Sequence, residues 1–220
     1  MTNLMLFVYY ASYIYFLALP LLLWVLFWRK GTFSGRIVRG AAGIFLLGIT
    51  VLAYARFVEP RILVTREHDL QLCATGEGRL RAAVWADPQT GIFGNVMPVD
   101  RVVRRLNELG ADIILIPGDF TYYLPAEEIA ETFAPMADLR SPIFAVMGNH
   151  DAGLKKGPDV VVPLSRALTQ MGVTVLDGRN TDYQHGDKVI RIIGMRDHWT
   201  AQRDRTPLNA AVPDTPADLT

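Results

Sequence analysis

The chain has 220 residues, room for one medium-sized domain plus accessory segments, and carries no net formal charge. That balance is uneven: residues 1–58 hold five basic residues (Arg29, Lys30, Arg36, Arg39, Arg56) and no acid, while all 22 Asp and Glu follow from Glu59 onward. A basic apolar head on an acidic body argues against nucleic-acid binding through a broad basic face, and the single cysteine, Cys73, excludes an internal disulfide.

Met1 to Trp28 runs without a charge and exceeds the roughly 20 apolar residues that a helix needs to cross a bilayer core. A spanning helix is expected over about 4–28, kinked at Pro20. Tyr9, Tyr10, Tyr13 and Tyr15 toward one end, with Trp24 and Trp28 toward the other, resemble interfacial aromatic belts. A secretory signal fits poorly, because no positive charge precedes the apolar run. A second span is expected over 37–58; its uncharged core, Gly40–Ala55, is only 16 residues, so Arg39 and Arg56 would have to snorkel toward the head groups. Gly40, Gly43 and Gly48 would let the first helix approach closely; the alternative is a buried helix in a soluble core. The basic connection Arg29–Arg39 reads as cytoplasmic by the positive-inside rule, which places the remaining domain, 59–220, outside the cytoplasm.

From Arg61 the texture changes to short apolar runs alternating with polar helical segments. Ile62–Leu72 reads as an edge strand or part of a hairpin, and Leu80–Ala86 as a strand ending at Asp87. Val99–Leu109 has helical spacing, with Val99, Val102, Val103 and Leu106 on one face and Gly110 as the stop. Asp112–Ile116 is a continuous apolar run, as in a strand covered on both faces. Pro125–Leu139 reads as helix, Pro142–Met147 as strand, Val160–Met171 as helix, and Val173–Leu176 and Val189–Ile193 as strands. Ala201–Thr220 is polar and Pro-rich, with no strand. The rhythm implies βαβ units in a layered α/β fold with flanking helices, preceded by the two transmembrane helices.

Three of these strands end in polar clusters: Asp87-Pro88-Gln89, Gly118-Asp119 and Gly148-Asn149-His150-Asp151. In a parallel α/β sheet, the residues just past the strand C-termini converge on one edge, where ligands bind. Asp87, Asp119, Asn149 and His150 would therefore meet there. Two carboxylates brought together repel, and with an amide oxygen they suit Mg²⁺, Mn²⁺, Fe or Zn²⁺. Singly, each cluster reads as a turn or a helix cap; all three, in order and each closing a strand, point to a metal site.

The order Asp-x-(His), Gly-Asp, Gly-Asn-His-Asp resembles the metal-binding signature of the calcineurin-like metallophosphoesterases, some of which are membrane-anchored. The resemblance covers about Arg79–Met195, and Gly148-Asn149-His150-Asp151 is its most specific piece. It implies two divalent metal ions, with Asp87 on the first, Asp119 bridging both and Asn149 on the second. His150 would stabilise the transition state or protonate the leaving group, with Asp151 holding its ring. Gln89 stands where the family usually has histidine, and an amide oxygen can ligate a hard metal. The family supplies further metal ligands from a later histidine and a Gly-His-x-His segment; neither ligand is expected before Thr220, so the chain reads as the N-terminal portion of such a domain. Of the other histidines, His68 and His185 read as surface residues, and only His198, beside Asp197, follows a strand.

The expected function is metal-dependent hydrolysis of a phosphomonoester, phosphodiester or pyrophosphate bond. The membrane head favours a substrate that is lipid-linked or at the surface. The alternative is a noncatalytic, membrane-anchored binding module with a degenerate metal site. A Rossmann-type nucleotide site fits poorly, because Gly76-Glu77-Gly78 precedes its strand and no third glycine follows at the needed spacing.

Overall fold

The computed structural model describes residues 2–11, 13–28, 33–71, 78–93, 97–154, 157–205, 212–213, 217 and 219. Arg29, Lys30, Cys73 and Gly76-Glu77 lie outside the described residues. The chain divides into two compact units, Met1–Ile62 with Phe93–Val96, and Leu63–Ile92 with Met97–Thr220.

In the first unit the uncharged head is three short helices, α1 (Thr2–Ala11), α2 (Ile14–Leu17) and α3 (Leu19–Trp28), not the single span expected over 4–28. Pro20 has no N–H to donate, and it stands at the second position of α3, where a donor has no partner anyway. It therefore marks a helix start where a kink was expected. The next helix, α4 (Phe33–Ala53), continues through a π-helical turn, Tyr54–Val58, and a 3₁₀ turn, Glu59–Arg61. Among the described residues only this one, 27 residues from Gly35 to Arg61, is long and apolar enough to cross a membrane. It measures about 40 Å at 1.5 Å per residue, against a hydrocarbon core of about 30 Å.

α3 packs along α4, but the glycine stripe does not mediate a close approach. A Cβ added at Gly40, Gly43 or Gly48 would meet nothing within 4 Å; the buried apolar side chains of α4 among the described residues are Ala42 and Ile49. Arg56 is held by aromatic rings: its guanidinium lies 4.1 Å from the ring centre of Tyr9 and 4.4 Å from that of Tyr13, and Nη2 donates to the Tyr9 carbonyl at 3.0 Å. A cation over aromatic faces with a carbonyl partner gives up less on leaving water than a bare guanidinium would.

The second unit is built on a parallel sheet of β1 (Ala82–Val84), β3 (Ile113–Ile116), β5 (Ile143–Ala145) and β6 (Val173–Val175), in that spatial order. Its crossovers carry α5 (Val99–Leu109), α6 (Ile129–Phe133) and α7 (Val161–Gln170). A two-stranded parallel pair, β2 (Thr90–Gly91) with β4 (Thr121–Tyr122), extends beyond the strand ends. α5 follows its apolar period: Val99, Val102, Val103 and Leu106 are buried, and Gly110 ends it in the left-handed region at φ 56°. The stretch expected as one helix over Pro125–Leu139 is α6 flanked by 3₁₀ turns, Ala126–Glu128 and Ala134–Asp138. Pro135 accounts for the break, since it lacks an N–H and its ring clashes with the carbonyl four residues back.

Side chains alternate across the sheet, so its faces have different covers. Ile114, Ile116, Ile143 and Ala145 join the core against α5, α6 and α7, where Phe120 and Phe133 meet edge to face at 5.7 Å. Ile113, Phe144 and Leu176 face the other way, against Tyr183 and Ile192. Those two belong to an antiparallel hairpin of β7 (Arg179–His185) and β8 (Lys188–Gly194). β7 was not expected, because most of its residues are polar and exposed. Its pairing with β8 includes Asp182 opposite Arg191, which binds both carboxylate oxygens at 2.7 and 2.8 Å. No strand forms over residues 62–71. A further helix, α8 (His198–Asp204), is capped by Asp197, whose Oδ1 accepts from the Thr200 N–H at 3.0 Å. Leu219 forms an isolated bridge with Ile190 of β8, so the tail expected to lack any strand does reach the hairpin.

Candidate metal centre

The loops following β1, β3 and β5 carry the residues picked out in the sequence, and hydrogen bonds sew the three loops together. Gln89 N–H donates to the Asp119 carbonyl at 2.9 Å, Thr90 N–H to Phe120 at 2.9 Å and Ile92 N–H to Tyr122 at 3.2 Å. Asp119 then reaches the third loop, its Oδ1 accepting from the His150 N–H at 2.9 Å.

The backbone at these positions is strained. Asp87 (φ 50°), Gln89 (φ 41°) and Asp119 (φ 52°) are three of the five described non-glycine residues with left-handed φ. A side chain there costs of order 1–3 kcal/mol and persists only where the surroundings impose it, most often at functional sites. Gly118, at φ 101°, and Gly148 allow the second and third loops to touch: a Cβ on Gly148 would lie 2.0 Å from Asp119 Oδ1. Asp119 and Asn149 line a cleft of about 470 Å³ at the strand ends, with Arg196 also in its wall and Leu115, Phe144 and Leu176 below. Asp87 is exposed and Gln89 half-buried; neither lines that cleft.

Whether these residues fit a metal can be judged from Asn149. Its Oδ1 is buried and accepts no hydrogen bond, a state that costs about 1–3 kcal/mol for a polar atom and that a cation would relieve. The Thr90 hydroxyl, next to Gln89, is buried and unpartnered in the same way. Two carboxylates and two amide oxygens suit a hard divalent cation. No group of three or more His, Cys, Asp or Glu placed to hold a metal occurs among the described residues.

Asp151 corrects the sequence reading. It is completely buried, and its carboxylate does not hold the His150 ring. Oδ1 accepts from the Thr121 N–H and hydroxyl, both at 2.9 Å, and Oδ2 from the N–H groups of Phe120 at 3.2 Å and Gly148 at 3.0 Å. Burial pushes its carboxyl pKa up, and the donors from Gly148, Thr121 and Phe120 pull it back down. His150 is instead in ring contact with Tyr122, at 5.1 Å between centroids. Thr121, Tyr122 and Thr90 were not singled out from the sequence; a hydroxyl or ring beside a Gly-Asp turn carries no spacing signal. Of the remaining histidines, His68 lines a separate groove of about 280 Å³ against β1, and His185 ends β7 with its ring 3.0 Å from the Arg79 carbonyl. His198 is exposed and packs edge-on against Trp199, while its neighbour Asp197 lies in the cleft wall.

A parallel sheet covered by helices on one face and by a hairpin on the other defines a layered α/β protein. Residues 80–213 match the calcineurin-like phosphoesterase family, and the chain belongs to it. No curated protein sequence matches the chain. Among solved structures, the crystal structure of TT1561 of Thermus thermophilus is similar, at 16% identity and a TM-score of 0.40, over 53% of this chain and 49% of that one. The chain thus spans about half the length of that protein.

Proposed function

We propose that this chain carries a metal-dependent phosphoesterase site in which Asp87, Gln89, Asp119 and Asn149 would hold two divalent metal ions, Asp119 serving both. The observation that supports this reading most strongly is the buried, unpartnered Asn149 Oδ1 beside Asp119 in one cleft. Metal ions bound there would supply an activated water and neutralise the phosphoryl oxygens. The chain's own residues do the rest. Asp119 orients the third loop through the His150 N–H, and the His150 imidazole holds a proton for the leaving oxygen or stabilises charge on the phosphoryl group. The substrate class is a phosphate ester, whether monoester, diester or pyrophosphate. α4 would anchor the domain to a membrane, where the substrate is lipid-linked or at the surface. Arg36 and Arg39 near the start of α4 favour a cytoplasmic location for that end, which puts the domain on the other side.

A noncatalytic binding module is the second reading, and Gln89 in place of histidine favours it. Metal analysis of the purified chain, with p-nitrophenyl phosphate and bis-p-nitrophenyl phosphate turnover in Mn²⁺, separates the two. Bound metal with turnover supports the enzyme, bound metal without turnover supports the binder, and no metal removes both.

A further inference from the structure

Among the described residues, Asp151 is the one fully buried ionisable side chain beside the site that the proposed chemistry does not use. A carboxylate has about four lone-pair sites, and all four are taken: two by Thr121, one by Phe120 and one by Gly148. None remains for the His150 ring. The donors come from two loops. Phe120 and Thr121 follow Asp119 directly, and Gly148 precedes Asn149, so the carboxylate ties the loop of one proposed ligand to the loop of the other. A reciprocal bond runs the opposite way, from the His150 N–H to Asp119 Oδ1. The Asp151 carbonyl also accepts from the Val160 N–H at 2.8 Å, which fastens the same residue to the chain leading into α7.

We propose that Asp151 is a positioning residue, whose buried carboxylate sets the spacing between Asp119 and Asn149 and thereby sets the affinity of the site for a divalent cation. The inference rests on the metal-binding reading above. Its physical basis is that oriented donors around a buried anion tolerate little displacement, because any donor that moves away is left without a partner. Asparagine has nearly the same shape, but its NH₂ would face N–H groups whichever way the amide turns. Loss of such a partner behind a metal ligand lowers affinity about 10–100-fold.

The test is Mn²⁺ titration calorimetry on the full chain, comparing wild type with Asp151→Asn and Thr121→Val, alongside thermal melting and turnover of bis-p-nitrophenyl phosphate. Asp151→Asn should raise the Mn²⁺ Kd about 10–100-fold. Thr121→Val, which removes one of four donors, should move the Kd the same way by a smaller factor. An unchanged Kd with a lower melting temperature overturns the proposal and leaves Asp151 a purely structural residue. An unchanged Kd with turnover reduced a hundredfold also overturns it and returns Asp151 to the chemistry. If Asp151→Asn does not fold, Thr121→Val decides, and an unaltered Kd in that variant is a refutation. Wild type that binds no Mn²⁺ would instead sink the metal-binding reading itself.

Discussion

Gly148→Ala is the smallest change that the site should fail to absorb. No left-handed φ is needed at Gly148, so alanine meets no conformational penalty and the effect is purely steric. The new Cβ would lie 2.0 Å from Asp119 Oδ1 and 2.3 Å from the Asp119 backbone nitrogen. Real Cβ atoms essentially never approach closer than 3.0 Å, so the carboxylate must retreat by about 1 Å and the backbone by roughly 0.7 Å. A side-chain rotation alone cannot clear the nitrogen, so the loop carrying Asp119 has to move. Misplacing a reacting group by about 1 Å costs on the order of a hundredfold in rate. Overpacking of this kind adds about 1–3 kcal/mol of destabilisation. The assay is kcat/KM for bis-p-nitrophenyl phosphate in saturating Mn²⁺, with melting curves run in parallel. Gly110→Ala is the control: nothing lies within 4 Å of its Cβ, so it should lose about 1–2 kcal/mol through its left-handed φ and keep its kinetics. A Gly148→Ala protein with kcat/KM within twofold of wild type would show that the Asp119 loop is not displaced from the reacting groups.

The bidentate Arg191 partner holds the Asp182 carboxyl below its usual pKa, so its contribution to stability is present above about pH 4, the unfolded value, and is lost as pH falls through the depressed folded value. Asp182→Asn should therefore flatten the acid limb of melting temperature against pH below about pH 4, and an unchanged limb would count against the assignment. If α4 spans a bilayer, the protein should stay with membranes through high-salt and carbonate washing, and its release intact into the soluble fraction would remove the anchor. Protease added outside spheroplasts should cut the domain; complete protection would reverse the proposed orientation.

The legible parts of the fold were those whose burial is periodic or continuous. α5 matches its reading from Val99 to Leu109 because four valines and leucines fall on one face and Gly110 can only stop it. β3 and β5 stood out as unbroken apolar runs because both sheet faces are covered. β7 did not, since its residues are mostly exposed and its pairing with β8 places a polar pair, Asp182 and Arg191, across the hairpin. Apolar composition in the first 28 residues reported an environment but not helix continuity, and a Gly stripe in α4 did not identify its packed face. In the site, strand-end position was enough to bring Asp119 and Asn149 into one cleft. The hydrogen bonds of Asp151 were hidden because its partners are mostly backbone N–H groups, which every residue carries. The left-handed φ of Asp87 and Gln89 was equally invisible, as neither residue type demands it.

In the proposed site the strand-end loops hold metal through Asp119 and use His150 for chemistry. Metal content and turnover of Asp119→Ala and His150→Ala, measured side by side on the purified chain, test it most directly. Asp119→Ala should lose metal and activity together. His150→Ala should keep most of its metal and turn over about 10²–10⁴-fold more slowly, the usual scale for losing a general acid or a charge-stabilising group. A His150→Ala protein at the wild-type rate, or an Asp119→Ala protein that retains tightly bound metal, would contradict the account.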